Sequence, residues 1–381
     1  MDSFVSPFNM EVWAEVPFHF WTVWIFIFGS IVGSFLNVCI YRMPLGESVV
    51  SPPSHCPHCK YSIPWYLNIP LVTWLYLRGK CAHCGAPISA RYFMVELLTA
   101  LMFTACWVWF GRESAPLALV YCLVVAGLIV ATFVDWEHTI IPDEITIGGT
   151  VAGIVCSFFV PSLHSTFPSL QRLTHPGESL YVSIFGAAFG ALVFYAIVRL
   201  GKLAFGRKTL EMEPGAVIRF TETALKTPTG NIEYEEIFYR DSDTIVVEAR
   251  RVELTDRCYR NTTVRLNPKS LEIGGDQFVP EDVAYMEAVA EKVVLPREAM
   301  GMGDVKFMAA LGAFLGWPAV CFILAASSLI GSVVGLTMIA LKKRERSSEI
   351  PFGPYIAVAA LLWMFFGRHW TILWLRWMVP A

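Results

Sequence analysis

The chain has 381 residues, of which 55% are hydrophobic, 14% aromatic and only 16% charged. Soluble domains carry about a quarter charged residues, so the composition excludes an ordinary soluble enzyme and points to a bilayer as solvent. The net charge of −3 argues neither for nor against nucleic acid, and none is expected as a partner.

Residues 1–43 begin acidic and polar, without the basic region of a cleavable signal sequence, and continue into a first apolar span, Phe18 to Tyr41. A spanning helix needs about 20 apolar residues, because lipid offers no partner for backbone N–H and C=O groups. Residues 44–91 contain no span and are rich in Pro, Cys, His and Gly. Residues 92–205 supply spans at Tyr92 to Phe110, Pro116 to Val134, Ile145 to Val160 and Leu180 to Leu203. Residues 206–298 hold 13 Lys/Arg and 18 Asp/Glu and read as a soluble insertion. There Thr244 to Leu254 and Thr262 to Ile273 alternate as half-buried strands do, while Pro280 to Val294 reads as a helix with an acidic first turn. The insertion has no motif and is expected to be a tolerated surface element, with a cover over the cytoplasmic entrance or a partner-recruiting surface as the alternatives. Residues 299–381 add spans at Val305 to Trp317, Val320 to Leu341 and Tyr355 to Met378.

The expected fold is thus an α-helical polytopic membrane protein of about eight transmembrane helices, with a cytoplasmic four-cysteine zinc-binding segment and a small α+β insertion, for which a β-meander is the alternative. Lys and Arg collect after the first, fifth and seventh spans, the last as Lys342 to Arg346. The positive-inside rule puts those loops in the cytoplasm and both termini outside; Arg368 and Arg376 lie on the disfavoured side.

Cys56-Pro-His-Cys59 and Cys81-Ala-His-Cys84 form two C-x-x-C units about twenty residues apart. A two-residue spacer lets both thiolates reach one ion, and the gap suits a four-cysteine zinc site. Such a site has no open coordination position, so the expected zinc is structural, with a redox pair or chance spacing as the alternatives; His58 and His83 read as bystanders or as supports behind the ligands.

Ionisable residues in spans are costly and usually functional. Asp135 ends the third span and Asp304 begins the sixth, in Gly301-Met-Gly303-Asp304-Val-Lys306. Both fall at the cytoplasmic boundary, where two carboxylates sharing a proton would activate water and protonate a peptide carbonyl. A helix N-terminus favours the anion of Asp304 and a C-terminus disfavours that of Asp135, which assigns Asp304 as first base and Asp135 as proton holder. Asp143 reads as an N-cap in preference to a third catalytic acid. Glu137 and Glu144 read as solvated loop residues.

Gly301-Met-Gly303-Asp304-Val-Lys306 resembles the G-x-G-D-x-K motif of the type IV prepilin peptidases, a family of membrane aspartic proteases. Asp135 with Ile141-Pro142-Asp143 resembles their first aspartate motif. Gly33 to Pro44, Asn68 to Trp74, Arg78 to Cys81, Ile88 to Leu98 and Pro351-Phe352-Gly353-Pro354 are also similar to that family. The resemblance implies cleavage of the basic leader of type IV prepilins or type II secretion pseudopilins at the cytoplasmic face of a bacterial inner membrane. It also implies N-methylation of the new N-terminus from S-adenosylmethionine, with the cysteine segment as the associated region. Gly301, Gly303, Lys306 and the residues Pro351, Phe352, Gly353 and Pro354 become candidates for active-site support or substrate binding. Lys306 stands either for stabilising the aspartates or substrate, or for simple snorkelling. Asn37, Arg42, Arg91 and Glu96 become the polar candidates for methyl transfer, with Arg42 and Arg91 equally readable as markers of span ends. Two features depart from the pattern: Phe93 stands where a proline is expected, and the compact family pattern lacks the insertion. Rival readings are a protease that cuts mid-helix, a proton-coupled transporter using membrane carboxylates, and an inactive assembly factor that holds pilin precursors.

Overall fold

The computed structural model describes residues 17–164, 175–213, 215–228, 230–238, 243–283, 285–296, 301–341 and 351–378. The basic run Lys342 to Arg346 and Arg172 lie outside the described residues. The chain divides into two compact units, Met1–Phe194 with Met302–Ala381, and Tyr195–Gly301.

The first unit is helical. Its main helices are α1 (Phe18–Arg42), α2 (Ala90–Phe110), α3 (Ala115–His138), α4 (Asp143–Phe159), α5 (Pro176–Phe205, running on into the second unit), α6 (Met302–Leu315), α7 (Trp317–Ala340) and α8 (Gly353–Met378). Side-chain signals set several boundaries. Ser89 and Ser114 cap α2 and α3 by accepting from Arg91 N and Leu117 N, which occupies donors that lack helical partners. Thr139 ends α3 in a left-handed conformation, and its N–H returns to Asp135 O at 2.9 Å. Pro142 then starts α4, so Asp143 is the first helical residue and not the cap; no side chain caps that helix. A proline at the boundary already suits a helix start, because it has no N–H to satisfy.

Five helices, α1, α2, α3, α5 and α7, are long and apolar enough to cross a membrane. The count of eight spans is not carried by the structure: α4 has 17 residues and α6 only 14, and the apolar part of α8 is the shorter stretch Gly353–Gly367. Helix α6 is nonetheless buried along almost its whole length. It packs on α4 and meets α5 where Gly186 and Gly312 touch. A Cβ on Gly186 would lie 2.2 Å from Gly312 O, so only glycine permits that backbone approach.

The second unit contains an antiparallel sheet of nine strands: β1 (Arg207–Glu211), β2 (Val217–Phe220), β3 (Ala224–Thr227), β4 (Gly230–Glu233), β5 (Ile245–Leu254), β6 (Cys258–Leu266), β7 (Leu271–Ile273), β8 (Asp276–Phe278) and β9 (Met286–Pro296). The order is β4-β3-β2-β9-β5-β6-β7-β8, with β1 also paired to β9. Ile218, Val247, Val264, Ile273 and Ala288 lie in its core, while exposed pairs such as Arg219–Glu287 and Arg265–Glu272 decorate the surface.

Two expectations for this region fail. The stretch from Thr262 to Ile273 is two strands joined by a turn in which Asn267 Oδ1 accepts from Lys269 N and Ser270 N. The expected helix Pro280 to Val294 is a single 3-10 turn, Pro280–Asp282, followed by β9. The α+β insertion is therefore a sheet whose only helical pieces, among the described residues, are short turns. The error has a physical origin. The buried positions of β9 run Met286, Ala288, Ala290, then Val293 and Leu295, and its ladder with β5 shifts register at Glu248/Ala249 and Ala249/Arg251. A bulge adds a residue to a two-residue period, leaving Met286, Ala290 and Val293 at the i, i+4, i+7 spacing of a helix face.

Candidate active site

Asp135 lies in the last turn of α3 and Asp304 in the first turn of α6, and both side chains are buried. Two contacts organise the surroundings of this pair. A Cβ on Gly303, beside Asp304, would lie 3.5 Å from Ile141 N, so the connector after Asp135 rests on the start of α6. Gly353 N, at the first position of α8, donates to Asp135 Oδ2 at 2.8 Å.

The second contact explains why glycine stands in Pro351-Phe-Gly-Pro354. A Cβ on Gly353 would lie 2.8 Å from Asp135 Oδ2 and 3.1 Å from its Cβ and Cγ. Pro354 follows at the second helical position, where a missing N–H costs nothing. The donor also alters the electrostatics read from sequence. Asp135 does end α3, but its carboxylate receives an N–H from the N-terminus of α8, which favours the anion. Helix polarity alone therefore no longer separates the two aspartates. This contact crosses 218 residues of sequence, and only the motif context marked Gly353 as a candidate.

Lys306 Nζ meets Asp143 Oδ1 at 2.7 Å, both side chains partly exposed. The pair joins the starts of α4 and α6, giving Asp143 a role other than the cap expected of it. Glu137, read as solvated, instead forms an ion pair with Arg91.

The four paired cysteines come together. Their sulfur atoms lie within 4.8 Å of one another, and Cys56 and Cys84 sulfurs are 3.9 Å apart. Tetrahedral ligands at a Zn–S distance of ~2.3 Å stand about 3.8 Å from each other, so the set has the size to hold such an ion. The two units form similar knuckles: Lys60 N returns to Cys56 O and Gly85 N to Cys81 O, with left-handed backbone at Lys60 and Gly85. Backbone N–H groups of Cys84 and His83 lower the Cys81 thiol to about 6, while Cys59 in the same quartet is raised to about 11, so the cluster holds one ready thiolate and the others ionise only against a bound cation. His83 stacks on Tyr61 at 4.9 Å, clasping one knuckle to the other.

The four methyl-transfer candidates occupy different places. Asn37 Nδ2 donates to Tyr92 O at 3.0 Å and pins α1 to α2. Arg42 is buried and donates to Ser48 O and Pro52 O at 2.9 and 2.7 Å. Glu96 is buried and accepts from Leu71 N at 2.8 Å. Arg91 is the partner of Glu137. Phe93, at the site of an expected proline, packs on Trp74 at 5.1 Å.

Comparison with known proteins gives two family matches: the bacterial peptidase A24 N-terminal domain over residues 27–110, and the type IV leader peptidase family over 122–207 and 283–336. The second match skips most of the sheet. A prepilin leader peptidase/N-methyltransferase of Myxococcus xanthus is 41% identical over 49% of this chain and 51% of its own length. One of the same name from Aeromonas hydrophila is 29% identical over 89% of each chain. A type 4 prepilin-like proteins leader peptide-processing enzyme of Escherichia coli is 35% identical over 50% of this chain and 71% of its own length. No solved structure matches.

Proposed function

Because the chain belongs to the type IV leader peptidase family, we propose that it is a membrane aspartic endopeptidase that removes the leader of prepilins or pseudopilins and N-methylates the new N-terminus. The observation that carries the peptidase half is the buried pair Asp135 and Asp304, at the end of one helix and the start of another, with Ile141 and Gly353 fixing their surroundings.

In the proposed reaction the two carboxylates share one proton. The ionised member takes a proton from water as the oxygen attacks the scissile carbonyl, and the protonated member donates to the carbonyl oxygen. Collapse of the tetrahedral species passes a proton to the leaving amine and breaks the C–N bond. Gly353 N holds Asp135 Oδ2, leaving Oδ1 to share the proton with Asp304, and with that donor in place the assignment of Asp304 as first base no longer follows from helix polarity. Gly301 is assigned to leave room for an extended substrate backbone beside Asp304, while Gly303 packs against Ile141.

The five long apolar helices make this a multi-pass membrane protein. We read α4, α6 and α8 as completing eight crossings, with the aspartates and the cysteine segment on the cytoplasmic side of a bacterial inner membrane. Residues 206–298 form a separate cytoplasmic insertion in that arrangement. Cys56, Cys59, Cys81 and Cys84 hold a structural zinc, and S-adenosylmethionine supplies the methyl group.

The test is reconstitution with a prepilin, following leader release for the wild type, Asp135→Asn and Asp304→Asn. Loss of cleavage in both variants, with unchanged thermal stability, is the expected result. Cleavage at the wild-type rate by either variant removes the dyad, and intact wild-type cleavage without methylation removes the second activity.

A further inference from the structure

Thr146, in the first turn of α4, is fully buried, yet among the described residues its hydroxyl oxygen has no hydrogen-bond partner. Buried polar groups nearly always have one, so an orphan calls for an explanation. Five other threonines in the long helices, Thr22, Thr99, Thr104, Thr150 and Thr337, turn their hydroxyls back to the carbonyl four residues earlier. For Thr146 that carbonyl belongs to Pro142, and it already accepts from Ile145 N and Thr146 N, each at 3.1 Å. A carbonyl oxygen has two lone pairs. The start of α4 thus closes the usual outlet and holds the hydroxyl for another partner.

The register of α4 against α6 locates that hydroxyl. A Cβ on Gly303 would stand 3.5 Å from Ile141 Cβ, one on Gly149 3.3 Å from Ala310 Cβ, and one on Gly153 2.8 Å from Ala313 Cβ. The two helices therefore run side by side in the same direction. Thr146 lies three residues before Gly149 and seven before Gly153, the spacing of one helix face. Three residues before Ala310 is Phe307, and three before that is Asp304, about 4.5 Å further along the axis. Cα–Cβ bonds tilt toward the N-terminus of a helix, so the Thr146 side chain leans toward the level of Asp304.

We propose that Thr146 Oγ1 is a third catalytic group, which holds the attacking water against Asp304. The proposal rests on the reading of Asp135 and Asp304 as the catalytic pair. The water donates one hydrogen to Thr146 Oγ1 and the other to the ionised carboxylate of Asp304, so that its lone pair points at the scissile carbonyl. As the new O–C bond forms, the O–H bond to Asp304 breaks and that carboxylate keeps the proton. Protonated Asp135 gives its own proton to the carbonyl oxygen. The threonine thereby distinguishes two acids that helix polarity does not. It lies on the α6 side of the pair, whereas Gly353 N engages Asp135.

Thr146→Val keeps the branched shape and removes the hydroxyl; Thr146→Ser keeps the hydroxyl. Prepilin cleavage by each full-length variant in nanodiscs is resolved into kcat and KM, with the melting temperature measured alongside. Thr146→Val should lower kcat about tenfold, the effect of one neutral hydrogen bond lost from the transition state. Its KM and melting temperature should not change, because a hydroxyl without a protein partner adds nothing to the fold. Thr146→Ser should recover most of the lost kcat. A Thr146→Val enzyme that cleaves within twofold of wild type, while Asp304→Asn is dead, overturns the assignment and leaves the aspartate pair standing. A rise in KM alone, a fall in melting temperature that accounts for the lost activity, or a serine variant as slow as the valine one also overturns it, since each makes Thr146 an element of shape. Full cleavage by Asp304→Asn removes the pair and the proposal together.

Discussion

Gly353→Ala is the most searching perturbation of the proposed catalytic pair that leaves both aspartates in place. The added methyl would stand 2.8 Å from Asp135 Oδ2, well inside contact distance, so either the carboxylate turns away or the start of α8 retreats. Each outcome breaks the 2.8 Å hydrogen bond from Gly353 N. A bond to a charged acceptor is worth about 1.5–3 kcal/mol. At ~1.36 kcal/mol per decade of rate, leader cleavage should fall roughly 10- to 150-fold. Overpacking also costs ~1–3 kcal/mol of stability, so the melting temperature is measured alongside, and methylation of pre-cleaved pilin reports the rest of the molecule. Gly148→Ala is the control, because a Cβ there meets nothing within 4 Å; it should cleave normally. A Gly353→Ala enzyme that cleaves within twofold of wild type would refute the view that this backbone donor positions Asp135.

Cys81→Ser with Cys84→Ser should abolish zinc content and leave residues 44–91 open to protease, because a structural zinc site supplies folding energy directly; unchanged metal content would show that the quartet holds no ion. His164 is buried, with its ring nitrogens on Ser179 Oγ and Ala313 O, and burial lowers its pKa to about 4. Between pH 6.5 and 4 the unfolded chain binds a proton that the folded chain refuses, so stability should fall with pH by up to ~1.36 kcal/mol per unit. Thermal melts across that window should show the slope, and His164→Gln should remove it; an equal slope in the variant assigns it elsewhere. Lys306→Met should slow cleavage less than about fivefold, since an exposed pair such as Lys306–Asp143 contributes ~0.2–1 kcal/mol. A thousandfold loss would place Lys306 in the chemistry instead.

The membrane helices were legible because bilayer chemistry leaves few alternatives: Phe18–Arg42 and Ala115–His138 announce themselves by unbroken apolarity. The cysteine quartet was legible because ligand spacing is local. What escaped was long-range or phase-dependent. Arg91–Glu137 and Lys306–Asp143 join groups 46 and 163 residues apart, and no spacing rule pairs them. Strand β9 hid behind its bulge, with Glu281 and Asp282 supplying a false acidic helix start. Asp135 and Asp304 were found as costly charges in apolar sequence, but the donor from Gly353 that reshapes their electrostatics required the packed structure.

The shortness and burial of α6 bear on how the enzyme meets its solvent. Fourteen residues span about 21 Å, well under the ~30 Å hydrocarbon thickness of a bilayer, and the helix is wrapped by protein along most of its length. Lipids of different chain length act on the outer helices through hydrophobic mismatch. Asp304 takes its depth from the neighbours of α6, through contacts such as Gly186 with Gly312. Membrane thickness should therefore tilt the perimeter of the molecule while leaving the register between its two acids intact.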